Sequence, residues 1–155
     1  MKTIHISTNN ISQNFNDLQK ELGGKLNKKQ QEYTLVLNND LVSGTITGIE
    51  FDNDITFLKY DVTFNEDVIL KSSTSTTNPI NFMYCSNGQL AFGFNEEGSK
   101  KSLNQFQTGV FSSDPNRDTV LFFRKDQSVK FSNVKVDAMI DANEESIDLL
   151  KNQLI

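Results

Sequence analysis

Hydrophobic residues near the N-terminus recur with the period of a helix. Ile11, Phe15, Leu18 and Leu22 follow one another at intervals of four, three and four residues, which places them on one helix face. Asn10 precedes this face and is a good capping residue, with Gln13 at the position that reaches back, and Gly23-Gly24 follows as a stop signal. The pattern therefore predicts one helix, with a short strand or arm at residues 3–7 before it and a polar loop at residues 25–32 after it.

From residue 33 onward the hydrophobic period changes to two. Residues 58, 60, 62 and 64 are apolar or aromatic while residues 59, 61 and 63 are polar, which is the alternation of a half-buried strand. Similar segments lie at residues 33–37, 41–51, 68–70, 103–111, 119–124 and 128–136, and Asn, Asp, Gly and Pro separate them. Several short strands spaced by turns predict a sandwich or barrel.

The dipeptide Asn87-Gly88 predicts a tight hairpin, because a type I′ turn needs positive φ at both central positions. A two-residue loop there pairs Cys85 with Leu90, 83 with 92 and 81 with 94 on one face, and 84 with 91 and 82 with 93 on the other. Both faces of this hairpin are largely apolar. We therefore expect one face in the core and the other against a helix, a ligand or another chain.

The C-terminal residues return to a helical pattern. Asn143 is a suitable cap, and Ile147, Leu150 and Leu154 form a stripe at spacings of three and four. The stripe is too short to specify a coiled coil alone, so it either packs on the β domain or pairs with its twin in a dimer. We expect a single domain of 155 residues, divided into an N-terminal arm and helix (1–32), a β-roll (33–137) and a C-terminal helix (143–155).

Charge and composition limit the classes of binding partner that we expect. The net charge is −5 and the isoelectric point is about 4.8, whereas nucleic-acid binding relies on clustered Lys and Arg. The close basic pairs, at 28–29, 100–101 and 124–125, fit solvated surface positions. No apolar run approaches the length of a membrane span and the N-terminus lacks a signal-peptide pattern, so we expect a cytoplasmic protein without membrane contact.

Histidine and cysteine are each represented once, by His5 and Cys85. A catalytic metal site typically takes about three protein ligands, often His with a carboxylate, so no metal or other cofactor is expected, and catalysis by a histidine-containing triad is disfavoured. Cys85 fits a buried small hydrophobe better than a nucleophile. The carboxylates at 61, 66 and 67 fit solvated positions better than an acid–base pair.

Four segments together resemble a known family. They are G-T-I-T-G-I-E-F (44–51), Y-D-V-T-F-N-E-D-V-I-L (60–70), F-M-Y-C-S-N-G-Q-L (82–90) and V-K-V-D-A-M-I-D (134–141), the last just before the terminal helix. In this order they resemble the N-terminal regulatory domain of AraC-type transcription regulators, over roughly residues 30 to 155. The resemblance implies a mainly β, cupin-like β-roll or jelly-roll barrel with an N-terminal helix and a C-terminal amphipathic helix.

The same resemblance implies a small-molecule effector in the roll and a homodimer formed through Ile147, Leu150 and Leu154. Such regulators carry two helix-turn-helix units after this domain. This sequence shows none, and its ending at 151–155 resembles a cut within or just after a helix. DNA contact is therefore expected only through a further C-terminal domain.

Aromatic residues on the predicted inner strands are the candidate ligand contacts, together with one cation at the end of an apolar strand that suits an anionic ligand. They are Phe57, Tyr60, Phe82, Tyr84, Phe92, Phe122 and Arg124. Plain core packing is the favoured explanation for each aromatic taken singly, and Arg124 fits an edge residue equally well. Two other functions stay open, namely a stand-alone carbohydrate- or lipid-binding β-sandwich, and a metal-free sugar isomerase or epimerase on a cupin-like scaffold.

Overall fold

The computed structural model describes residues 1–51, 54–74, 78–95 and 100–137. Within these ranges the chain forms one helix and twelve strands. In chain order they are β1 (Lys2–Ser7), α1 (Ile11–Leu22), β2 (Lys25–Lys29), β3 (Glu32–Asn38), β4 (Val42–Phe51), β5 (Ile55–Phe64), β6 (Val68–Ser73), β7 (Ile80–Asn87), β8 (Gln89–Phe94), β9 (Lys101–Asn104), β10 (Thr108–Ser112), β11 (Thr119–Phe123) and β12 (Ser128–Val136). The prediction of a mainly β protein with an N-terminal helix is confirmed.

The strands form two sheets. One has the order β1-β6-β11-β8-β9, and the other has the order β10-β7-β12-β5-β4-β3-β2. β1 runs parallel to β6, and the other neighbouring pairs are antiparallel. Their inner faces share one core, in which the ring of Phe123 from the first sheet lies 5.1 Å from Phe64 and 6.1 Å from Phe131 of the second.

Helix α1 begins and ends where the sequence predicts. The Asn10 side chain accepts a hydrogen bond from the Gln13 N–H at 2.7 Å, and Gly23 adopts a φ of 75° and closes the last turn through the Gln19 carbonyl. The apolar face packs on the seven-stranded sheet, where Phe15 stacks on Tyr33 with ring centroids 5.3 Å apart. Gly48 makes this approach possible, because a Cβ there would lie 2.5 Å from the Phe15 ring.

The loop predicted at residues 25–32 is wrong. Residues 25–29 form β2, an edge strand that pairs with β3. Four of its five side chains are exposed, so it has no apolar alternation from which a strand could be recognised. Exposed lysines at Lys25, Lys28 and Lys29 suit such an edge, because they discourage pairing with other chains. The residues assigned to an N-terminal arm also contribute β1 to the first sheet.

The predicted hairpin at Asn87-Gly88 is also wrong. β7 pairs with β10 and β12 in the seven-stranded sheet, whereas β8 pairs with β11 and β9 in the other sheet. Gly88 has a φ of 78° but Asn87 does not share the positive φ that a type I′ turn requires,. The chain therefore crosses between sheets at this point, and Met83 lies opposite Gly109 instead of Phe92.

Cys85 belongs to the core, as predicted, with no exposed surface. Its Sγ contacts the carbonyl oxygens of Asn87 and Gly88 at 3.4 and 3.5 Å rather than facing Leu90. Burial raises the pKa of its thiol.

The single strand expected at 103–111 is two strands, β9 and β10, separated by a turn in which Phe106 has a φ of 69°.

The C-terminal helix predicted from Asn143, with Ile147, Leu150 and Leu154, lies outside the described residues. Within the described ranges, no helical segment has the length and apolar character that crossing a bilayer requires.

Candidate functional site

A cavity lies between the two sheets, at the end where α1 begins. Its enclosed volume is about 60 Å³, and it opens to solvent; by comparison, a cavity that accommodates benzene measures ~150 Å³. Residues from both sheets, from α1 and from the segment before it line this space. They are Ile6, Thr8, Asn10, Ile11, Asn14, Thr56, Leu58, Tyr60, Leu70, Ser72, Thr74, Asn81, Met83, Phe111, Ser113, Thr119, Leu121, Phe131, Asn133 and Lys135.

The mouth of the cavity is a layer of polar side chains set by strand register. On the seven-stranded sheet, Lys135 of β12 stands between Thr56 of β5 and Asn81 of β7. On the five-stranded sheet, Ser72 of β6 stands beside Thr119 of β11. The side chains of a strand alternate between faces, so each of these residues occupies an inward position at which a sandwich core is normally apolar.

The floor of the cavity is apolar. One step further along the strands, Leu58 and Met83 flank Asn133 on the seven-stranded sheet. Leu70 and Leu121 are neighbours in the same way on the five-stranded sheet. The cavity thus offers a polar mouth and an apolar floor, which is the usual construction of a small-molecule site.

Helix α1 contributes Asn14, whose side chain is 3% exposed. Its Nδ2 donates a hydrogen bond to the Ser7 carbonyl at 3.0 Å, but its Oδ1 has no hydrogen-bond partner among the described residues. A buried polar atom left without a partner costs about 1–3 kcal/mol, so such atoms are rare in folded proteins. Asn14 therefore presents an unused acceptor to the cavity.

A chain of hydrogen bonds joins β12 to the segment before β11. Asn133 Nδ2 donates to Asn81 Oδ1 at 3.0 Å, Asn81 Nδ2 donates to Ser113 Oγ at 2.8 Å, and the Ser113 and Thr119 hydroxyls lie 3.4 Å apart. Asn133 Oδ1 has no partner among the described residues. Turning both amides over would reverse the chain and leave Asn133 Nδ2 unused instead, so in either orientation the network ends in one unsatisfied polar group.

Lys135 brings a positive charge into the cavity although its side chain is almost fully buried. Its Nζ donates to the Thr8 carbonyl, and the Asp137 carboxylate lies at 3.9 Å, beyond hydrogen-bond distance. Burial lowers the pKa of Lys135, and the charges of Asp137 and Glu50 oppose this effect only in part. An ammonium has three N–H donors, so Lys135 retains capacity to bind an acceptor.

Tyr60 is the other ionisable residue in the cavity wall. It stacks on Phe131 with ring centroids 4.7 Å apart, and burial raises the pKa of its hydroxyl. Tyr60 therefore remains neutral over the physiological range.

Of the seven ligand contacts predicted from the sequence, Tyr60 lines the cavity and the other six do not. Phe57 and Phe82 occupy outward positions of β5 and β7, and Tyr84 is 41% exposed. Phe92 is buried and stacks on Phe111, a cavity residue, with centroids 5.4 Å apart.

The last two of the seven lie at and beyond the end of β11. Phe122 is half-buried, and the ammonium of Lys100 lies 3.9 Å from the centre of its ring. Arg124 is exposed and follows the strand. The structure thus separates both residues from the cavity.

Sequence reasoning missed the residues that make the cavity polar, namely Asn14, Asn81, Asn133 and Lys135. A signal for two of them was present in β12. Val129 and Phe131 are buried on its inner face, and continuing the alternation by twos places Asn133 and Lys135 on that same face. Polar residues at core positions of a strand indicate function or an error of register.

The remaining chemical candidates lie outside the cavity. His5 is exposed on β1. Asp61 pairs with Lys130 at 3.6 Å, the N-terminal ammonium lies 3.9 Å from Glu66, and Asp67 accepts a hydrogen bond from the Lys125 N–H at 2.8 Å. In the part of the chain that the structure describes, no group of three or more His, Cys, Asp or Glu side chains is arranged to hold a metal ion.

No protein-family model matches the sequence, and a search of curated proteins finds no match. Among solved structures, the chain is similar to the cupin_2 domain of an XRE-family transcriptional regulator from Enterobacter cloacae, at 11% identity and a TM-score of 0.46, covering 71% of this chain and 100% of that one. It is similar to an HTH_3-family transcriptional regulator from Vibrio cholerae, at 13% identity and a TM-score of 0.47, covering 84% and 65%.

A third similar structure is hydroxypropylphosphonic acid epoxidase from S. wedmorenis, at 12% identity and a TM-score of 0.48, covering 72% of this chain and 59% of the epoxidase. The chain thus spans less than two thirds of the epoxidase and of the Vibrio cholerae regulator. The likeness is one of strand arrangement and assigns no activity to this chain.

Proposed function

We propose that this chain is the effector-binding and dimerising domain of a transcription regulator of the AraC type, with DNA contact made by a separate helix-turn-helix domain. The cavity between the sheets is the observation that carries the proposal. Its wall holds a buried cation and two side chains with hydrogen-bonding atoms that no described residue satisfies. A fold selected for stability alone would place apolar residues at these positions.

The cavity suits binding better than catalysis. Its ionisable wall residues in the described part of the chain are Lys135 and Tyr60, and no described wall residue carries a carboxylate or an imidazole. General acid–base chemistry normally requires a pair of groups whose pKa values straddle the working pH. We therefore propose a non-enzymatic role without a cofactor.

A sensing role further requires that the ligand favour one of two arrangements of the protein. The cavity is suited to this, because its wall joins elements that are distant in sequence. Lys135 near the end of β12 is hydrogen-bonded to Thr8, which lies two residues before the N-cap of α1, Asn10. A ligand between these elements would couple the N-terminal segment to the chain that continues from β12 towards the C-terminus.

Binding at the cavity is tested with two leucine substitutions on neighbouring residues of β6. Ser72 faces the cavity, whereas Ser73 is exposed on the opposite face. A library of sugars, sugar acids, amino acids and short carboxylates is screened by ¹H–¹⁵N NMR. We expect at least one compound to shift cavity resonances in the wild type and in Ser73→Leu, and none to do so in Ser72→Leu. Absence of any binder, or binding that survives in Ser72→Leu, would refute the proposal.

Dimerisation is proposed to use the stripe predicted at Ile147, Leu150 and Leu154. Sedimentation velocity compares the wild type with a double variant that carries Leu150→Ser and Leu154→Ser. The control is Asp148→Ser, because Asp148 lies between Ile147 and Leu150 in sequence but off the stripe. We expect a dimer for the wild type and the control, and a monomer for the double variant. A monomeric wild type that nevertheless binds a ligand would instead indicate a stand-alone binding module.

A further inference from the structure

We infer that the ligand of this cavity is a small hydroxylated carboxylate, a short sugar acid of roughly three or four carbons. Its carboxylate would lie at Lys135 and its hydroxyl groups at Asn14 and Asn133. This inference rests on the proposed function, since it names the chemical class that the same cavity would bind.

The charge of the ligand follows from Lys135. The ammonium is buried, and its hydrogen bond to Thr8 uses one of three donors,. Among the described residues, the Asp137 carboxylate pairs with the ammonium at 3.9 Å, which is too long for a hydrogen bond. A carboxylate oxygen placed in the cavity would complete the hydrogen bonding of the ammonium and compensate its charge where solvent does so poorly.

The hydroxyl groups of the ligand are inferred from two side-chain amides in the cavity wall. Asn14 and Asn133 each retain one unsatisfied polar atom in the cavity wall. For Asn133 that atom is an acceptor or a donor according to the orientation of the network, and a hydroxyl group serves in either case because it both donates and accepts. An ammonium group would serve less well, because none of the described wall residues carries a carboxylate to neutralise it.

The size of the ligand is inferred from the cavity volume, and its carbon skeleton from the apolar floor. The enclosed space of about 60 Å³ holds only part of a ligand, because benzene alone occupies a cavity of ~150 Å³. The rest of a small hydroxy acid would lie in the opening to solvent. Leu58, Met83, Leu70 and Leu121 form apolar surface on which the carbon face of such a compound can rest. A compound with several carboxylates would place negative charges against this apolar surface, and is therefore disfavoured.

The test uses matched probes that differ in one feature at a time. D-glycerate, L-threonate and D-gluconate carry both hydroxyls and a carboxylate. Glycerol, L-threitol and D-glucitol carry the hydroxyls alone, and butanoate and hexanoate carry the carboxylate alone. Dissociation constants are measured by NMR titration, following the side-chain amides of Asn14 and Asn133. We expect at least one hydroxy acid to bind about 10-fold or more tightly than its matched polyol and than the plain carboxylates.

Two lysine variants of β12 then locate the charge. Lys135→Met should reduce the affinity for the hydroxy acid to that for its polyol. Lys130→Met is the control, because Lys130 lies on the outer face of the same strand and pairs with Asp61. Asn133→Leu should lower the affinity for the acid and for the polyol alike, because it removes a contact to a hydroxyl group and leaves the charge of Lys135 in place.

The outcomes separate this inference from the function on which it rests. If library compounds bind at the cavity but acids and polyols bind equally, or only amines or plain carboxylates bind, the ligand class is wrong and the binding function stands. If the preference for acids survives in Lys135→Met, the placement of the carboxylate is wrong. If nothing binds at the cavity, the proposed function itself fails.

Discussion

At the scale of single residues, the cavity exists because a few side chains depart from the rule for inward positions. Lys135, Asn133 and Asn81 occupy places that alternation assigns to the core. Their cost is partly met by hydrogen bonds to Thr8 and Ser113. Tyr60 is an aromatic residue predicted as a ligand contact, and its ring also stacks on Phe131. Residue type alone does not separate these roles.

Lys135 makes the stability of the protein depend on pH in a definite direction. Burial lowers its pKa below the ordinary value of 10.5, which the unfolded chain retains. Between the folded and the unfolded pKa the unfolded state binds more protons, so stability increases as the pH rises through this interval. We predict that the free energy of unfolding of the wild type rises relative to that of Lys135→Met as the pH approaches 10.5.

Urea denaturation at a series of alkaline pH values measures this difference. Lys130→Met serves as the control, because Lys130 is partly exposed and ion-paired on the outer face. Parallel pH profiles for the wild type and Lys135→Met would contradict the prediction.

At the scale of elements, the helix was predictable and some strands were not. The stripe, cap and stop of α1 are all local in sequence, and the structure confirms them. β2 lacks any apolar alternation because it is a polar edge strand. At Asn87-Gly88 the chain does turn, but the partners of β7 and β8 lie elsewhere in the sequence, at β10, β12, β11 and β9. Turn chemistry therefore predicted the break between strands and not their pairing.

Gly44 allows β4 to lie close to β5, and only glycine fits there. Its φ is 126°, and a Cβ would lie closer to the Asp61 carbonyl than van der Waals contact permits. We predict that Gly44→Ala lowers the free energy of unfolding by roughly 2 kcal/mol or more, through backbone strain and the displaced strand. The control is Gly109→Ala, where the new Cβ would make ordinary contacts at 3.6 Å with Leu103 and Phe92. Equal midpoints for both variants in urea denaturation would refute this account.

At the scale of the whole molecule, the space between the sheets has two halves with different roles. In one half, Phe123 of β11 is 3% exposed, and its ring lies 5.1 Å from that of Phe64. In the other half, Asn133 of β12 and its neighbours surround the cavity. Apolar burial stabilises the first half, whereas hydrogen-bonding groups in the second half leave some of their capacity unused.

Two alanine substitutions separate these roles. Phe123→Ala should lower the free energy of unfolding by about 3–5 kcal/mol, because it removes a packed ring from the part of the core outside the cavity. Asn133→Ala should cost only about 1 kcal/mol, mainly through the Asn81 oxygen that loses its donor. Ligand affinity should respond chiefly to Asn133→Ala. Chemical denaturation and the NMR titration together measure both effects, and a larger stability loss in Asn133→Ala would contradict the division.

The chain's local patterns were sufficient for the mainly β class, for α1 with its cap and stop, and for the burial of Cys85. Period, capping and residue size act over a few neighbouring residues, so they can be read along the sequence. The pairing of strands and the site required contacts between distant residues. Asn81 and Asn133 are separated by 52 positions, and Lys135 and Thr8 by 127. Because the free energy of such contacts depends on which strands become neighbours, they became visible only once the two sheets were in place.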